Sequence, residues 1–230
     1  MSIIYIAHIS DLTQPITENM LSKLTPQRKA RMCRYRQHSD KLRCVAAALL
    51  ARLGAQEFFS DTNVQVFMPA GMPPYAVSGD KVCRMSISHT ADRVMCMTDS
   101  EDCGVDIESE HACREAVGLA KRYFFTSEAA WICAAETETL RAERFARIWT
   151  AKEAYLKYCA TGLRRGLDTF CITAGDDGVS VTDPMMPAAH LYSIADKDGG
   201  FVYTAFSRTP VERFTKVESD VLFCDWVRLN

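Results

Sequence analysis

The stretch that most restricts what this chain can fold into is Cys103-Gly104-Val105-Asp106-Ile107-Glu108, where two branched apolar residues alternate with two carboxylates. A strand sends residues i and i+2 to the same side, so Asp106 and Glu108 share one face while Val105 and Ile107 turn to the core. Two carboxylates held that close repel, and a cation between them relieves the repulsion. Hard oxygen donors with room for water or phosphate suit Mg²⁺ better than zinc. By itself the D-x-E pattern also suits an ordinary solvent-facing edge.

The flanking sequence sets this strand inside an α+β arrangement. Residues 3–9 are apolar and β-branched enough for a buried strand. Thr25-Pro26 opens a helix with proline at its first position, and Ser39-Asp40 starts a second that runs through Val45, Ala46, Leu49 and Leu50 to a stop at Gly54. Strands are expected at 64–68, 84–88, 93–98 and 103–108, then helices at 113–122, 127–136 and 142–159. Further strands follow at 169–173, 178–182, 190–194 and 201–206, with turns at Gly175-Asp176-Asp177-Gly178 and Asp198-Gly199-Gly200. The pattern predicts two similar lobes, 1–102 and 103–230, each a small, mostly antiparallel sheet packed on a long helix.

Charge excludes some functions and localises others. With 27 Lys+Arg against 29 Asp+Glu the net charge is −2, which argues against a surface built to hold nucleic acid. The signs are separated along the chain, however. Residues 28–52 carry eight Lys/Arg and one acid, Asp40; residues 101–115 carry six acids and one Arg. No run reaches the length of a membrane span, and Asp11 and Glu18 interrupt the segment a signal peptide would need, so a cytoplasmic location is expected. The ten cysteines are scattered and never form C-x-x-C, which fits reduced core residues better than disulfides or zinc ligands.

Three more places look chemical. Arg28 and Arg31 are three apart on a helix and share a face, and guanidinium forks so placed suit phosphate oxygens. Ser88-His89 closes the alternating run Met85-Ser86-Ile87, placing a hydroxyl and an imidazole at the end of a strand. In the helix Trp149-Thr150-Ala151-Lys152-Glu153-Ala154-Tyr155-Leu156-Lys157, Glu153 and Lys157 are an i, i+4 pair. They read either as a routine ion pair worth about 0.3–0.5 kcal/mol or as a third carboxylate near the metal and a cation over a phosphate. There is no Walker loop, no G-x-S-x-G, no G-x-G-x-x-G and no H-E-x-x-H.

In combination, the Arg-rich helix, Ser88-His89, Gly104-Val105-Asp106-Ile107-Glu108 and Trp149 to Lys157 resemble the 4′-phosphopantetheinyl transferases of the two-lobed, surfactin-synthetase-activating type. The resemblance spans roughly residues 26 to 170, with about forty residues between its two most specific motifs. It implies two pseudo-equivalent α+β lobes with coenzyme A in the cleft between them. It also implies transfer of the phosphopantetheine arm from coenzyme A to a serine of an apo acyl or peptidyl carrier protein, with release of 3′,5′-ADP. On that resemblance Asp106, Glu108 and Glu153 surround Mg²⁺, for which Mn²⁺ could substitute. Arg28, Arg31 and Arg43 lie against the adenosine 3′-phosphate, Ser88 and His89 match the family's S-H-S element with the imidazole reaching a phosphate, and Lys157 lies on the pyrophosphate. Glu153, directly or through a metal-bound water, is the expected base, and Lys157 the group that stabilises or protonates the departing ADP phosphate. A monomer is expected, with carrier recognition from loops and from the helices of 112–140.

The chain departs from the family pattern in two places. Gly71-Met72-Pro73 stands where the family often has Gly-Lys-Pro, and in Phe124-Phe125-Thr126-Ser127-Glu128 the acid comes one position early, which leaves a role for Glu128 open. Two other readings compete: a non-catalytic coenzyme A or nucleotide-binding module of the same fold, and an Mg²⁺-dependent phosphodiesterase.

Overall fold

Thr25 starts the basic segment as the sequence predicts, because its side chain accepts from the Arg28 amide and Pro26 fills the first helical position, where no N–H is needed. A computed structural model describes residues 2–110, 115–175, 178–183, 190–196 and 200–223. The expected helix start at 113, turn residues 176–177 and 198–199, and Cys113 and Cys224 lie outside the described residues.

In chain order the elements begin β1 (Ile3–His8), α1 (Glu18–Ser22), α2 (Pro26–Arg34), α3 (His38–Phe59), β2 (Gln65–Phe67), β3 (Tyr75–Ser78), β4 (Lys81–Thr90), β5 (Arg93–Asp99) and β6 (Cys103–Ser109). They continue α4 (Ala116–Tyr123), α5 (Thr126–Cys133), α6 (Glu138–Tyr158), β7 (Cys171–Gly175), β8 (Gly178–Thr182), β9 (His190–Asp196), β10 (Phe201–Ser207), β11 (Arg213–Glu218) and α7 (Ser219–Phe223). The protein is α+β. Its backbone groups into two units, one of Met1–Cys103 with Thr209–Asn230 and one of Gly104–Arg208. The division thus falls one residue after the expected position, and the C-terminal segment belongs with the first unit. β11 is the cause: it hydrogen-bonds in parallel to β1, from Ile3 opposite Arg213 to His8 opposite Glu218.

The first unit is a six-stranded sheet in the order β11-β1-β5-β4-β3-β2, antiparallel at every pair except β1 with β11. Strand alternation sends Ile3, Tyr5, Ala7, Val94, Cys96, Cys83 and Met85 to one face, where they join Leu42, Val45, Ala46, Leu49 and Leu50 of α3 in a single core. The expected stop at Gly54 is not a stop. The helix continues to Phe59 and ends at Ser60, whose φ of +51° is left-handed. Gly54 sits in the helix interior because a Cβ there would lie 2.9 Å from Thr98 Cγ2 and 3.0 Å from Tyr5 Cε2, so the missing side chain lets α3 lie against the sheet.

The second unit has a three-stranded sheet, β6-β10-β9, and a separate β7-β8 hairpin. Its core gathers Phe145, Ile148, Ala151, Tyr155 and Leu156 of α6 with Phe170, Ile172 and Phe206. Phe124, Phe145 and Trp149 stack in sequence, which fixes α4 and α5 on the same helix. No described helix is long and apolar enough to cross a membrane. The eight described cysteines are free; Cys44, Cys83, Cys96 and Cys103 are buried, and Cys33 is exposed.

Candidate active site

Gly104 decides how closely β6 can approach α6. A Cβ at this position would lie 1.9 Å from the Ala154 carbonyl oxygen and 2.5 Å from the Tyr158 nitrogen, both backbone atoms that a rotamer change cannot move aside. The face of β6 that meets the helix is therefore that of Gly104, Asp106 and Glu108. This refines the expectation that only Val105 and Ile107 look into a core: both are fully buried, and Asp106 on the other face is only 5% exposed.

Within that contact the structure brings together Asp106, Glu153 and Lys157. The Lys157 ammonium donates to Asp106 Oδ1 at 2.7 Å and to the Val105 carbonyl at 2.9 Å. The i, i+4 pairing of Lys157 with Glu153 does not form as a salt bridge, because Asp106 offers the lysine a less exposed carboxylate across the strand. Glu153 is half-buried, and its carboxyl is pushed above the usual glutamate range by burial and then by the negative charge of Asp106, with Lys157 opposing. Glu108 lies two residues along the same face and is more exposed than Asp106.

Among the described residues no three His, Cys, Asp or Glu side chains stand together as a ready metal cluster. The donor chemistry still fits a hard divalent cation: carboxylate oxygens, one of them repelled by its neighbour, with an ammonium balancing the charge.

A second charged pair supports this helix from behind. Lys152 is fully buried and donates to Glu128 Oε1 at 2.7 Å and to the carbonyls of Leu167 and Phe170 at 2.7 and 2.9 Å. Glu128 in turn accepts from the amides of Phe125 and Ile172 at 2.8 and 2.6 Å. Burial lowers the lysine's pKa, and Glu128 opposes that. Glu128, whose role the sequence leaves open, thus ties the start of α5 and the start of β7 to the residue preceding Glu153. The sequence signal was present in Lys152 itself, an uninterrupted charge in a helix otherwise apolar on that side.

The basic residues of the first unit separate into three environments. Arg28 is 8% exposed; its Nε donates to the Cys44 carbonyl at 3.1 Å and its side chain lines a pocket with Lys23 and Arg52. Burial lowers its pKa, and nearby Arg31 adds to that. Arg31 is exposed and donates to the Tyr35 hydroxyl at 3.3 Å. Arg43 is occupied by the protein itself, through Asp40 and Ala91. The sequence did not single out Lys23, at the end of α1, or Arg52, which comes beside Arg28 through the packing of α2 on α3.

Ser88 and His89 close β4, opposite Met95 and Val94 of β5. Successive strand residues alternate faces, so they project to opposite sides of the sheet. His89 is exposed and follows Cys83, Met85 and Ile87 on the face that α3 covers. Met72, in place of the family lysine, is 66% exposed.

Residues 102–199 match the family profile of the 4′-phosphopantetheinyl transferase superfamily. The chain is 25% identical over 175 residues to the 4′-phosphopantetheinyl transferase Sfp of Bacillus subtilis, covering 75% of this chain and 77% of that protein. It is 24% identical over 180 residues to the 4′-phosphopantetheinyl transferase psf-1 of Bacillus pumilus, covering 76% of each. A holo-(acyl-carrier-protein) synthase from Bacillus anthracis, solved in complex with CoA (3′,5′-ADP), shares 19% identity and a TM-score of 0.40 over 46% of this chain and 92% of that one. The matched segment contains both β6 and α6, the two elements whose contact joins Asp106 to Glu153 and Lys157, so the likeness to the 4′-phosphopantetheinyl transferase superfamily covers the part of the chain that carries this cluster.

Proposed function

We propose that this protein transfers the 4′-phosphopantetheine arm of coenzyme A to a serine hydroxyl of an apo acyl or peptidyl carrier protein and releases 3′,5′-ADP. The observation that carries the reading is the convergence of Asp106, Glu153 and Lys157 at the contact of β6 with α6, inside the segment that matches the family.

Phosphoryl chemistry of this kind asks for positioning and charge neutralisation more than for covalent help. In the reaction the serine oxygen attacks the phosphorus next to the pantetheine arm, the phosphoanhydride bond to ADP breaks, and the serine proton passes to a base. Glu153 is the residue we assign to that proton, since burial and Asp106 already raise its affinity for one. Lys157 gives the departing ADP phosphate a cation; it would be shared between that phosphate and Asp106, its partner here. Asp106, Glu108 and Glu153 would hold Mg²⁺, with Mn²⁺ an acceptable replacement. When bound, the ion would neutralise pyrophosphate charge and polarise the bond that breaks.

Arg28 and Arg31 serve the 3′-phosphate end, and the position of Lys23 and Arg52 beside Arg28 supports an anion there. His89 supplies an imidazole to the phosphates from the sheet face that α3 covers, and Ser88, which precedes it on the strand, is the other residue of this element that we assign to coenzyme A binding. We place the protein in the cytoplasm, where the free thiols of the described residues would stay reduced, and take it to be a monomer. Purified protein incubated with coenzyme A, Mg²⁺ and each of several apo carrier domains tests the reading. The carrier should gain one phosphopantetheine; no gain on any carrier would refute it.

A further inference from the structure

The chain leaves α6 abruptly just past Lys157. Ala160 has φ +54°, a left-handed conformation that a residue with a Cβ adopts only where its surroundings hold it. Its amide donates to the Lys157 carbonyl at 3.1 Å, and the Thr161 amide donates to the Leu156 carbonyl at 3.2 Å. These are the paired bonds of a Schellman cap, closed here without glycine at the left-handed position. A single 3₁₀ turn, Gly162–Arg164, then carries the chain to Arg165, whose guanidinium lies over the rings of Phe170 at 5.1 Å and Tyr155 at 6.0 Å.

Arg165 differs from the arginine beside it. Arg164 is exposed, whereas the Arg165 side chain is 14% exposed. Its Nη2 forms an ion pair with Asp183 Oδ2 at 2.7 Å, and its Nε donates to the Thr169 hydroxyl at 3.0 Å. Asp183 follows β8, its side chain is 2% exposed, and through the same oxygen it accepts from the Tyr155 hydroxyl at 2.8 Å. Burial first, and then the bond to Asp183, raises the pKa of that hydroxyl, so it stays a donor. An apolar pair of similar size would commonly hold a fold as well as two buried ions. What the ions add is direction, since a planar guanidinium held at two nitrogens and stacked on two rings has one orientation.

We infer that Arg165 is a positioning residue for Lys157: by joining Tyr155 of α6 to Thr169 and Asp183, it fixes the last turn of the helix where the Lys157 ammonium meets Asp106 and the Val105 carbonyl. The brace reaches Lys157 from both sides in sequence. Tyr155 lies two residues before it, and the capped turn at Ala160, which accepts the Lys157 carbonyl, leads directly to Arg165. Arg165 acts through the backbone of α6 and not on a substrate.

The kinetic part of this inference rests on the proposed transfer; the structural part does not, and the test separates them. Arg165→Ala would leave Asp183 buried without its cation and risks unfolding the protein, so the variant used is Arg165→Lys, which keeps the charge and loses the planar fork. The brace predicts amide hydrogen exchange about five- to tenfold faster over residues 156–161, from the loss of one or two bonded contacts, with residues 141–148 of the same helix unchanged. Exchange over 156–161 that stays the same, or that rises equally along all of α6, overturns the brace whether or not the protein is a transferase.

Transfer is then measured in Arg165→Lys, Lys157→Ala and the double variant, by carrier mass over long incubations so that slow rates are read. Positioning predicts that Arg165→Lys lowers kcat/KM for coenzyme A about tenfold, and that it lowers it no further once residue 157 is alanine. The same fractional loss in both backgrounds makes Arg165 a stabilising residue that does not act through Lys157 and overturns the inference. A protein that modifies no carrier removes the transferase reading and leaves the exchange experiment to decide the brace.

Discussion

Replacing Gly104 with alanine should damage the site while leaving every chemical group in place. The added Cβ would lie 1.9 Å from the Ala154 carbonyl oxygen, where ordinary contact begins near 3.4 Å, so β6 and α6 must separate by about 1.5 Å locally. Both obstacles are helix backbone, so no side-chain rotation removes them, and overpacking of this sort costs about 1–3 kcal/mol. The same separation would lengthen the 2.7 Å contact between Lys157 and Asp106 beyond hydrogen-bonding distance. Misplacement of catalytic groups by about 1 Å can lower a rate about a hundredfold. Urea unfolding should therefore show a folded protein less stable by about 1–3 kcal/mol, and carrier modification should fall about a hundredfold. A variant within about 0.5 kcal/mol of the unaltered protein and equally active would refute the reasoning that this glycine sets the distance between the two elements.

Glu153→Gln should abolish transfer with an unchanged circular dichroism spectrum; a near-normal rate would remove Glu153 from both the base and the metal roles. Lys152→Met should destabilise the protein by about 3–5 kcal/mol by leaving the Glu128 carboxylate buried without its cation, and adding Glu128→Gln should recover part of that loss in urea melts. Chelation of divalent cations should stop transfer, and Mg²⁺ or Mn²⁺ should restore it; transfer undiminished by a chelator would count against the three-carboxylate assignment. Burial pushes the Cys83 thiol up to about 12, whereas Cys33 is exposed. At pH 8, well below that value, peptide mapping of the native protein after a thiol reagent should find Cys33 modified and Cys83 intact until denaturant is added.

The features legible in the sequence were those set by short-range periodicity and caps. Alternation located β4, β5 and β6 to within a few residues, and Thr25-Pro26 located the start of α2. What escaped were consequences of distant packing. Gly54 reads as a helix end by local propensity, yet it serves Tyr5 and Thr98 on strands some fifty and forty residues away. The pairing of β11 with β1 joins the two ends of the chain, and no window of sequence contains both.

The candidate site divides along the same line. That Asp106, Glu153 and Lys157 belong together could be read from motif resemblance, but not that Lys157 would choose Asp106 over Glu153. The i, i+4 rule describes an isolated helix, and here the strand that Gly104 admits supplies a better partner. Arg28, Arg31 and Arg43 look alike as residues in a basic run. Only the packing of α2 and of the β4-β5 turn on α3 distinguishes a buried arginine, an exposed one and one committed to the protein.

The most direct test of the account is the mass of an apo carrier domain after incubation with this protein, coenzyme A and Mg²⁺, with Glu153→Gln in parallel. The account predicts that the carrier gains one phosphopantetheine on its serine, that 3′,5′-ADP appears in equal amount, and that the variant leaves the carrier unmodified. A carrier panel of unchanged mass, with the protein folded and coenzyme A intact, would contradict it.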